Sequence, residues 1–408
     1  MNLCLKTVAE HIKILGKWIV IATVVGIIGG LVGSAFHFSV DYVTEVREHN
    51  SWLVFLLPLG AVVITFLYRL FKSKGKLDTD RVIESVSSKE KVPVVMAPLI
   101  FVSTVITHLL GGSAGREGAA LQLGGSIGYN TGKLFRLDKN DIHIIVMSGM
   151  SAVFSALFGT PVAAAFFSLE VSNIGIFHYA GLVPCLISSV SAFLVSDWFN
   201  IEPVRFENVM DFGFSGEMFG KVVCLAILCA LVSILFCFAI KKTEHLSEKL
   251  LKNKYLRGIV GGALLVGLTV LVGNHDYNGA GMNIISLAMD GEAEYEAFIL
   301  KMLFTVITIA SGFKGGEIVP TFFIGSTFGC IAGQILGLDA GFAASVGFVA
   351  LFCGVVNCPA ASVLLAVEIF GAKGIMAYAV ACGISYMLSG KFSLYKSQKF
   401  AFSKLYEE

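Results

Sequence analysis

A chain of 408 residues that is 56% hydrophobic and 14% charged, with a mean hydropathy of +0.80, is too apolar for an ordinary soluble enzyme, so most of it must face lipid. A formal net charge of +1, with no stripe of Arg and Lys interleaved with aromatics, sets nucleic-acid binding aside. The nine cysteines are scattered without C-x-x-C spacing and mostly lie in apolar runs such as Cys224 to Cys237, which suits buried free thiols better than a metal site or disulfides.

In chain order, Lys6, Lys13 and Lys17 precede an apolar run from Trp18 to Phe36 with no small-residue cleavage site after it, which predicts a retained helix and not a signal peptide. Further stretches near the ~20-residue bilayer span run from Trp52 to Phe71, Val94 to Leu110, Val222 to Ile240 and Phe298 to Ser311, several of them short or interrupted. The 44 glycines include pairs such as Gly29-Gly30 that suit close helix packing in a membrane. Basic residues collect at Lys6 to Lys17, Arg69 to Lys76, Lys241 to Arg257 and Lys391 to Lys404, and the positive-inside rule places these segments and both termini in the cytoplasm. These features predict an all-α polytopic membrane protein. Its single transmembrane domain covers 1–408, with a first half of about 18–200, a second of about 215–390, short cytoplasmic termini and no soluble regulatory domain.

The two halves read as repeats. Phe158-Gly159-Thr160-Pro161 runs through an apolar helix to Glu170, and Val356-Asn357-Cys358-Pro359 runs through a similar helix to Glu368 with the same proline-to-glutamate spacing. A Gly-rich segment precedes each proline, Gly111 to Gly128 in one half and Gly312 to Gly329 in the other. Gly/Pro-interrupted repeats point to an inverted-repeat bundle of broken helices, with the substrate site where half-helix ends meet. Glu170 and Glu368, at helix ends, are expected to be structural.

The candidate site is Gly115-Arg116-Glu117-Gly118, followed by Gln122. Glycines ahead of a helix expose backbone N–H groups, and a helix N-terminus carries roughly half a positive charge, so a dehydrated anion can be held without a full cation. Glu117 sits at that N-terminus, where its carboxylate would take an anion's place and its protonated form would vacate it. A structural ion pair between Arg116 and Glu117 is the plainer alternative, weakened because adjacent helical residues do not face each other. His37 and His108 lie in apolar segments without companion ligands and are expected as satisfied core histidines. No nucleophile motif, H-E-x-x-H or cofactor fingerprint occurs, so no enzyme activity, cofactor or metal is expected.

Gly-Arg-Glu-Gly in this glycine-rich setting resembles the signature of the CLC family of chloride channels and anion/proton antiporters. The resemblance covers nearly the whole chain: Gly315-Gly316-Glu317-Ile318-Val319-Pro320 is similar to the second filter loop, Ser148 to Glu170 and Gly354 to Glu368 to the two dimer-side segments, and Leu394-Tyr395 to the final filter tyrosine. It implies a homodimer with one pore per subunit and an interface at the helices after Pro161 and Pro359. It also implies that Glu117 is the external gate and proton carrier, and that Gly115, Arg116, Gly118, Ile318, Val319 and Tyr395 bind the anion.

The chain departs from the chloride-selective pattern where Gly-Ser-Gly-Ile-Pro is expected: here Gly75-Lys76-Leu77-Asp78-Thr79 stands as the inner filter loop, with Thr79 offering a hydroxyl. The internal proton-transfer glutamate, aligned through Pro161, falls on Val171, and a family phenylalanine is Ile318. With Ala119 after the motif and Glu317 in the second filter loop, as a second coupling carboxylate or else a structural one satisfied by loop N–H groups, the pattern is similar to the fluoride-exporting subgroup, although that subgroup's methionine has no counterpart between Lys72 and Pro93. The resemblance thus implies fluoride/proton antiport that exports fluoride, the alternative being a chloride channel or chloride/proton exchanger. The partners are a halide anion (fluoride or chloride), protons, the lipid bilayer and a second copy of the chain, in a bacterial plasma membrane.

Overall fold

Apolar runs interrupted by glycine and proline become helices of very unequal length. The computed structural model describes residues 2–71, 77–88, 90–206 and 215–404, with side chains from residue 7 onward. Gly75 and Lys76 of the inner filter loop therefore lie outside the described residues. The first half contains α1 (Asn2–His49), α2 (Leu57–Leu70), α3 (Thr79–Ser87), α4 (Met96–Leu109), α5 (Glu117–Leu134), α6 (Lys139–Phe158), α7 (Pro161–Glu170) and α8 (Leu182–Trp198). The second contains α9 (Gly216–Leu250), α10 (Lys254–Val272), α11 (Met282–Met289), α12 (Ala297–Ala310), α13 (Ile318–Leu336), α14 (Ala340–Val356), α15 (Pro359–Phe370) and α16 (Ile375–Leu388). Seven helical segments among the described residues are long and apolar enough to cross a membrane. Large side chains such as Phe66, Leu231, Leu264 and Leu271 stand exposed on their outer faces, as lipid rather than water requires.

The first helix outruns the span expected for Trp18 to Phe36: its 48 residues extend to His49. Gly29 and Gly30 are where α1 crosses its neighbours, since a Cβ on Gly29 would stand 2.7 Å from the Ala152 Cβ of α6 and one on Gly30 2.7 Å from the Val195 Cβ of α8. The expected role of the glycine pair in close packing is thereby met.

The halves correspond element by element. Helices α4 and α12 have 14 residues each, and a positive-φ glycine follows each of them closely, Gly111 at φ 83° and Gly312 at φ 92°. The α5–α6 crossing brings Gly124 against the Gly149 carbonyl, and the α13–α14 crossing brings Gly325 against Gly347, where a Cβ would stand 2.5 Å from the carbonyl oxygen. Helices α6 and α14 both end in a left-handed residue, Gly159 and Asn357, ahead of the prolines that open α7 and α15.

Those two short helices cap one another. Proline lacks an N–H at the start of each, so the first free donors are Val162 and Ala163 in α7 and Ala360 and Ala361 in α15. Glu368, near the end of α15, accepts from Val162 N (3.0 Å) and Ala163 N (2.8 Å), while Glu170, at the end of α7, accepts from Ala360 N (3.2 Å) and Ala361 N (2.8 Å). Contacts that run both ways between corresponding residues mark a two-fold relation, and here they also make the helices antiparallel. The repeat is therefore inverted.

After α16 the chain returns as a strap whose two-residue strand β2 (Lys399–Phe400) pairs in parallel with β1 (Asn173–Ile174). The eight cysteines whose side chains are described are free thiols, seven buried and Cys224 exposed.

The reciprocal caps lead to a stability prediction. Glu170→Ala and Glu368→Ala each leave two helix-end donors without an acceptor and should each cost about 1–2 kcal/mol. Thermal unfolding of the detergent-solubilised variants would show each melting below wild type.

Candidate functional site

Two loops meet at the centre of the fold, Leu110–Arg116 ahead of α5 and Ser311–Glu317 ahead of α13. Gly115 N donates to Gly316 O and Gly316 N to Gly115 O, both at 2.7 Å, which forms an isolated antiparallel bridge. A second reciprocal pair flanks it: Ser113 N donates to Thr308 Oγ1 (3.1 Å) and Lys314 N to Thr107 Oγ1 (3.3 Å). Each loop thus supplies the hydrogen bonds that the other's irregular backbone lacks, which non-helical chain within a membrane requires. Glycine is demanded at the crossing, because a Cβ on Gly118 would stand 2.8 Å from the Gly316 Cα and one on Gly315 2.6 Å from the Ala114 Cβ.

Pairing of Gly115 with Gly316 aligns the caps as well: Arg116 caps α5 and Glu317 caps α13, so Glu117 corresponds to Ile318, and the two glutamates are not equivalent. Glu117 is 1% exposed, and its carboxylate faces the backbone N–H groups of Glu117, Arg116 and Val319. It therefore stands where the N-termini of α5 and α13 converge, and its Oε2 has no hydrogen-bond partner. The Arg116 guanidinium turns elsewhere: Nε is 3.9 Å from Glu117 Oε1, whereas Nη1 donates to Asp41 Oδ1 at 2.9 Å. The neighbours are within ion-pair distance but share no hydrogen bond, and the short contact of the guanidinium is with Asp41.

Glu317 is half-buried, makes no side-chain cap bond, and has its Oε2 3.5 Å from where a Gly118 Cβ would be. It lies on the side of Lys314, whose ammonium stacks 4.8 Å over the Tyr68 ring. Ile318 and Val319, in the first turn of α13, are buried.

Thr79 Oγ1 donates to Gly118 O (3.4 Å) and accepts from Gln122 Nε2 (3.0 Å), so its hydroxyl serves α5 and is not the free donor expected for an anion. Asp78 is committed too, accepting from Arg81 N at 3.2 Å as the cap of α3, and Leu77 is buried. Tyr395 is 4% exposed, with a hydroxyl that has no partner, and lies within electrostatic reach of Glu317, Asp80 and Glu117. Buried polar atoms near the loops that lack protein partners include Glu117 Oε2, Gln122 Oε1, Tyr395 Oη and His108 Nε2. Such orphans are what a dehydrated ligand would satisfy.

Several contributors were not singled out from the sequence. Thr107 and Thr308 were detectable as one more repeat pair. Asp41 ties Arg116 to His37, whose Nε2 is 2.9 Å from Asp41 Oδ2. The histidines differ from satisfied core residues, since His37 Nδ1 and His108 Nε2 are buried without partners. Lys301, fully buried, donates to Gly279 O (2.7 Å) and Tyr277 O (3.3 Å), and Arg47 donates to His108 O (3.1 Å). Lys301 is thus held by carbonyls of the loop between α10 and α11 and Arg47 by the last turn of α4, placements that sequence spacing does not reveal.

The family model for the voltage gated chloride channel matches residues 59–390. The chain is 33% identical to a chloride/fluoride channel protein of Pseudomonas syringae pv. tomato, over 96% of this chain and 88% of that one. It is 28% identical to the H(+)/Cl(-) exchange transporter ClcA of Klebsiella pneumoniae, over 85% and 80% of the two chains. The crystal structure of a CLC-type fluoride/proton antiporter superposes with a TM-score of 0.91 at 30% identity, covering 95% of this chain and 98% of the other.

The interlocked loops can be tested directly. Gly316→Ala would place a methyl 3.2 Å from Glu117 N and closer still to Gly118 N, so the bridge must open. Anion flux in liposomes should fall on the order of 100-fold, as for any small misplacement of a binding constellation. Gly267→Ala, which meets nothing within 4 Å, should leave flux unchanged.

Proposed function

The chain belongs to the voltage gated chloride channel family, and from that premise we propose that it is an integral membrane anion transporter that exports fluoride in exchange for protons. The observation that carries this reading is the place of the Glu117 carboxylate, buried where α5 and α13 point their N-termini together. An ionised Glu117 fills the anion's seat; a protonated Glu117 leaves it, carrying its proton. One side chain therefore exchanges an anion for a proton.

The anion ligands in this reading are the backbone of Gly115, Arg116, Gly118, Ile318 and Val319, with the Tyr395 hydroxyl. Backbone donors bind without a full cation, so the ion can leave again. Fluoride is supported by the likeness at 0.91 to the fluoride/proton antiporter and by the chloride/fluoride relative. Val171, fully buried, offers no carboxylate where the chloride exchangers' pattern places one, so Glu317, beside Gly118, is the second coupling carboxylate. Of the inner filter loop expected at Gly75, Lys76, Leu77, Asp78 and Thr79, the described residues Leu77, Asp78 and Thr79 border the inner mouth in this reading.

The likeness to the chloride/proton exchanger favours chloride/proton exchange as the second reading, and Val171 a passive chloride channel. The working unit in our reading is one membrane domain per chain, paired as a homodimer with one pore each. Its interface uses the part-exposed apolar faces of α7 and α15, Val162 and Phe166 on one and Val363 and Leu364 on the other. Both termini lie in the cytoplasm of a bacterium, where the basic segments hold them.

Liposomes loaded with fluoride or chloride, followed by ion-selective electrodes and an external pH probe, test the assignment. Wild type should release fluoride with stoichiometric proton uptake. Glu117→Gln should abolish proton movement, and Glu317→Gln should slow it while leaving fluoride binding near wild type. Chloride release without proton movement would make this a channel instead.

A further inference from the structure

Tyr395, whose buried hydroxyl has no partner and which lies within electrostatic reach of Glu117 and Glu317, stands on a segment that is neither helix nor sheet, the strap between α16 and β2. Something outside the segment must hold it, because irregular chain loses about 1–2 kcal/mol per residue when ordered. Most of its anchors reach the ends of α7 and α14: Leu394 N donates to Val355 O (3.0 Å), and Gln398 Nε2 donates to Val171 O (2.9 Å) and Val356 O (2.7 Å). Two anchors reach elsewhere: Lys396 Nζ pairs with Glu244 Oε2 of α9, and the other holds Ser397. Ser397, two residues past Tyr395, donates both its N–H and its Oγ–H to Asp80 Oδ1, each at 2.8 Å.

Asp80 lies in the first turn of α3, directly after Thr79, whose hydroxyl bonds the Gly118 carbonyl at 3.4 Å. It is thus the link that joins the Tyr395 strap to the loops carrying Glu117. We infer that Asp80 is a positioning residue for anion binding: by gripping Ser397 it holds the Tyr395 hydroxyl against the site built by α3 and α5. The two bonds to a carboxylate are charge-assisted and together fix both position and rotation of the strap. The inference rests on the reading that Tyr395 donates to the transported anion.

A double-mutant cycle tests it, with fluoride flux in liposomes measured against fluoride concentration. Asp80→Ala should raise KM about tenfold, as Tyr395→Phe should, whereas Asp80→Asn, which keeps an acceptor oxygen for Ser397, should stay within about twofold of wild type. In the Tyr395→Phe background, Asp80→Ala should add nothing, because the group it positions is gone. Hydrogen exchange of the peptide 393–399 should quicken in Asp80→Ala and not in Asp80→Asn. A full loss on top of Tyr395→Phe, an Asp80→Asn as damaged as Asp80→Ala, or unaltered exchange in Asp80→Ala would each overturn the inference. If wild type moves no anion at all, the transport reading fails, and the exchange measurement alone decides whether Asp80 grips the strap.

Discussion

Everything at the centre of this protein depends on four backbone-donated hydrogen bonds exchanged between two loops: Gly115 with Gly316 in both directions, and Thr107 and Thr308 each accepting from the other loop. In lipid, a chain that leaves helical geometry must find new partners for its N–H and C=O groups. Neither loop can do so alone. Reciprocity solves the problem once for both, and the positive-φ glycines Gly111 and Gly312 turn each chain out of its preceding helix toward the meeting point. The cost is intolerance of any side chain at the crossing, which is why glycine recurs at 115, 118, 315 and 316.

With the loops locked, the next two helices are aimed for them. The N-terminus of α5 and that of α13 converge, and their unspent N–H groups form a positive site built of peptide dipoles. Glu117 lies there with one oxygen unpartnered. The asymmetry that gives the site two distinct sides comes from two adjacent positions: the two-fold relation sets Arg116 against Glu317 at the caps and Glu117 against Ile318 just after them. Arg116 is drawn away to Asp41 and His37, and Glu317 shares its side with Lys314. An inverted repeat with identical caps would not tell one face of the membrane from the other.

Around this core the same economy of reciprocal contact recurs. Glu170 and Glu368 exchange roles as caps for α15 and α7, binding the two halves together behind the site. The returning strap then crosses both halves, bonding Val171 of the first and Val355 and Val356 of the second before Asp80 takes hold of Ser397. Tyr395 is held by tertiary anchors and not by any regular element of its own.

The sequence by itself determined the solvent, the repeat and the carboxylate at the helix end. Apolar content requires lipid, the shared proline-to-glutamate spacing of Pro161–Glu170 and Pro359–Glu368 marks two related halves, and Gly-Arg-Glu-Gly ahead of a helix announces a carboxylate among exposed N–H groups. These are local properties, carried by composition and short spacing. Tertiary structure decided what distant groups do to one another. Thr79 looked free to bind an anion, but its hydroxyl is taken by Gly118, 39 residues away. Asp78 became a helix cap, and Arg116 turned to Asp41 across 75 residues instead of to its neighbour. Glu117 and Glu317 share a position within similar motifs, yet the bridge between Gly115 and Gly316 sets their register one residue apart. Hydrogen bonds are short and directional, so which donors remain free is settled only when chain segments far apart in sequence are brought within about 3 Å.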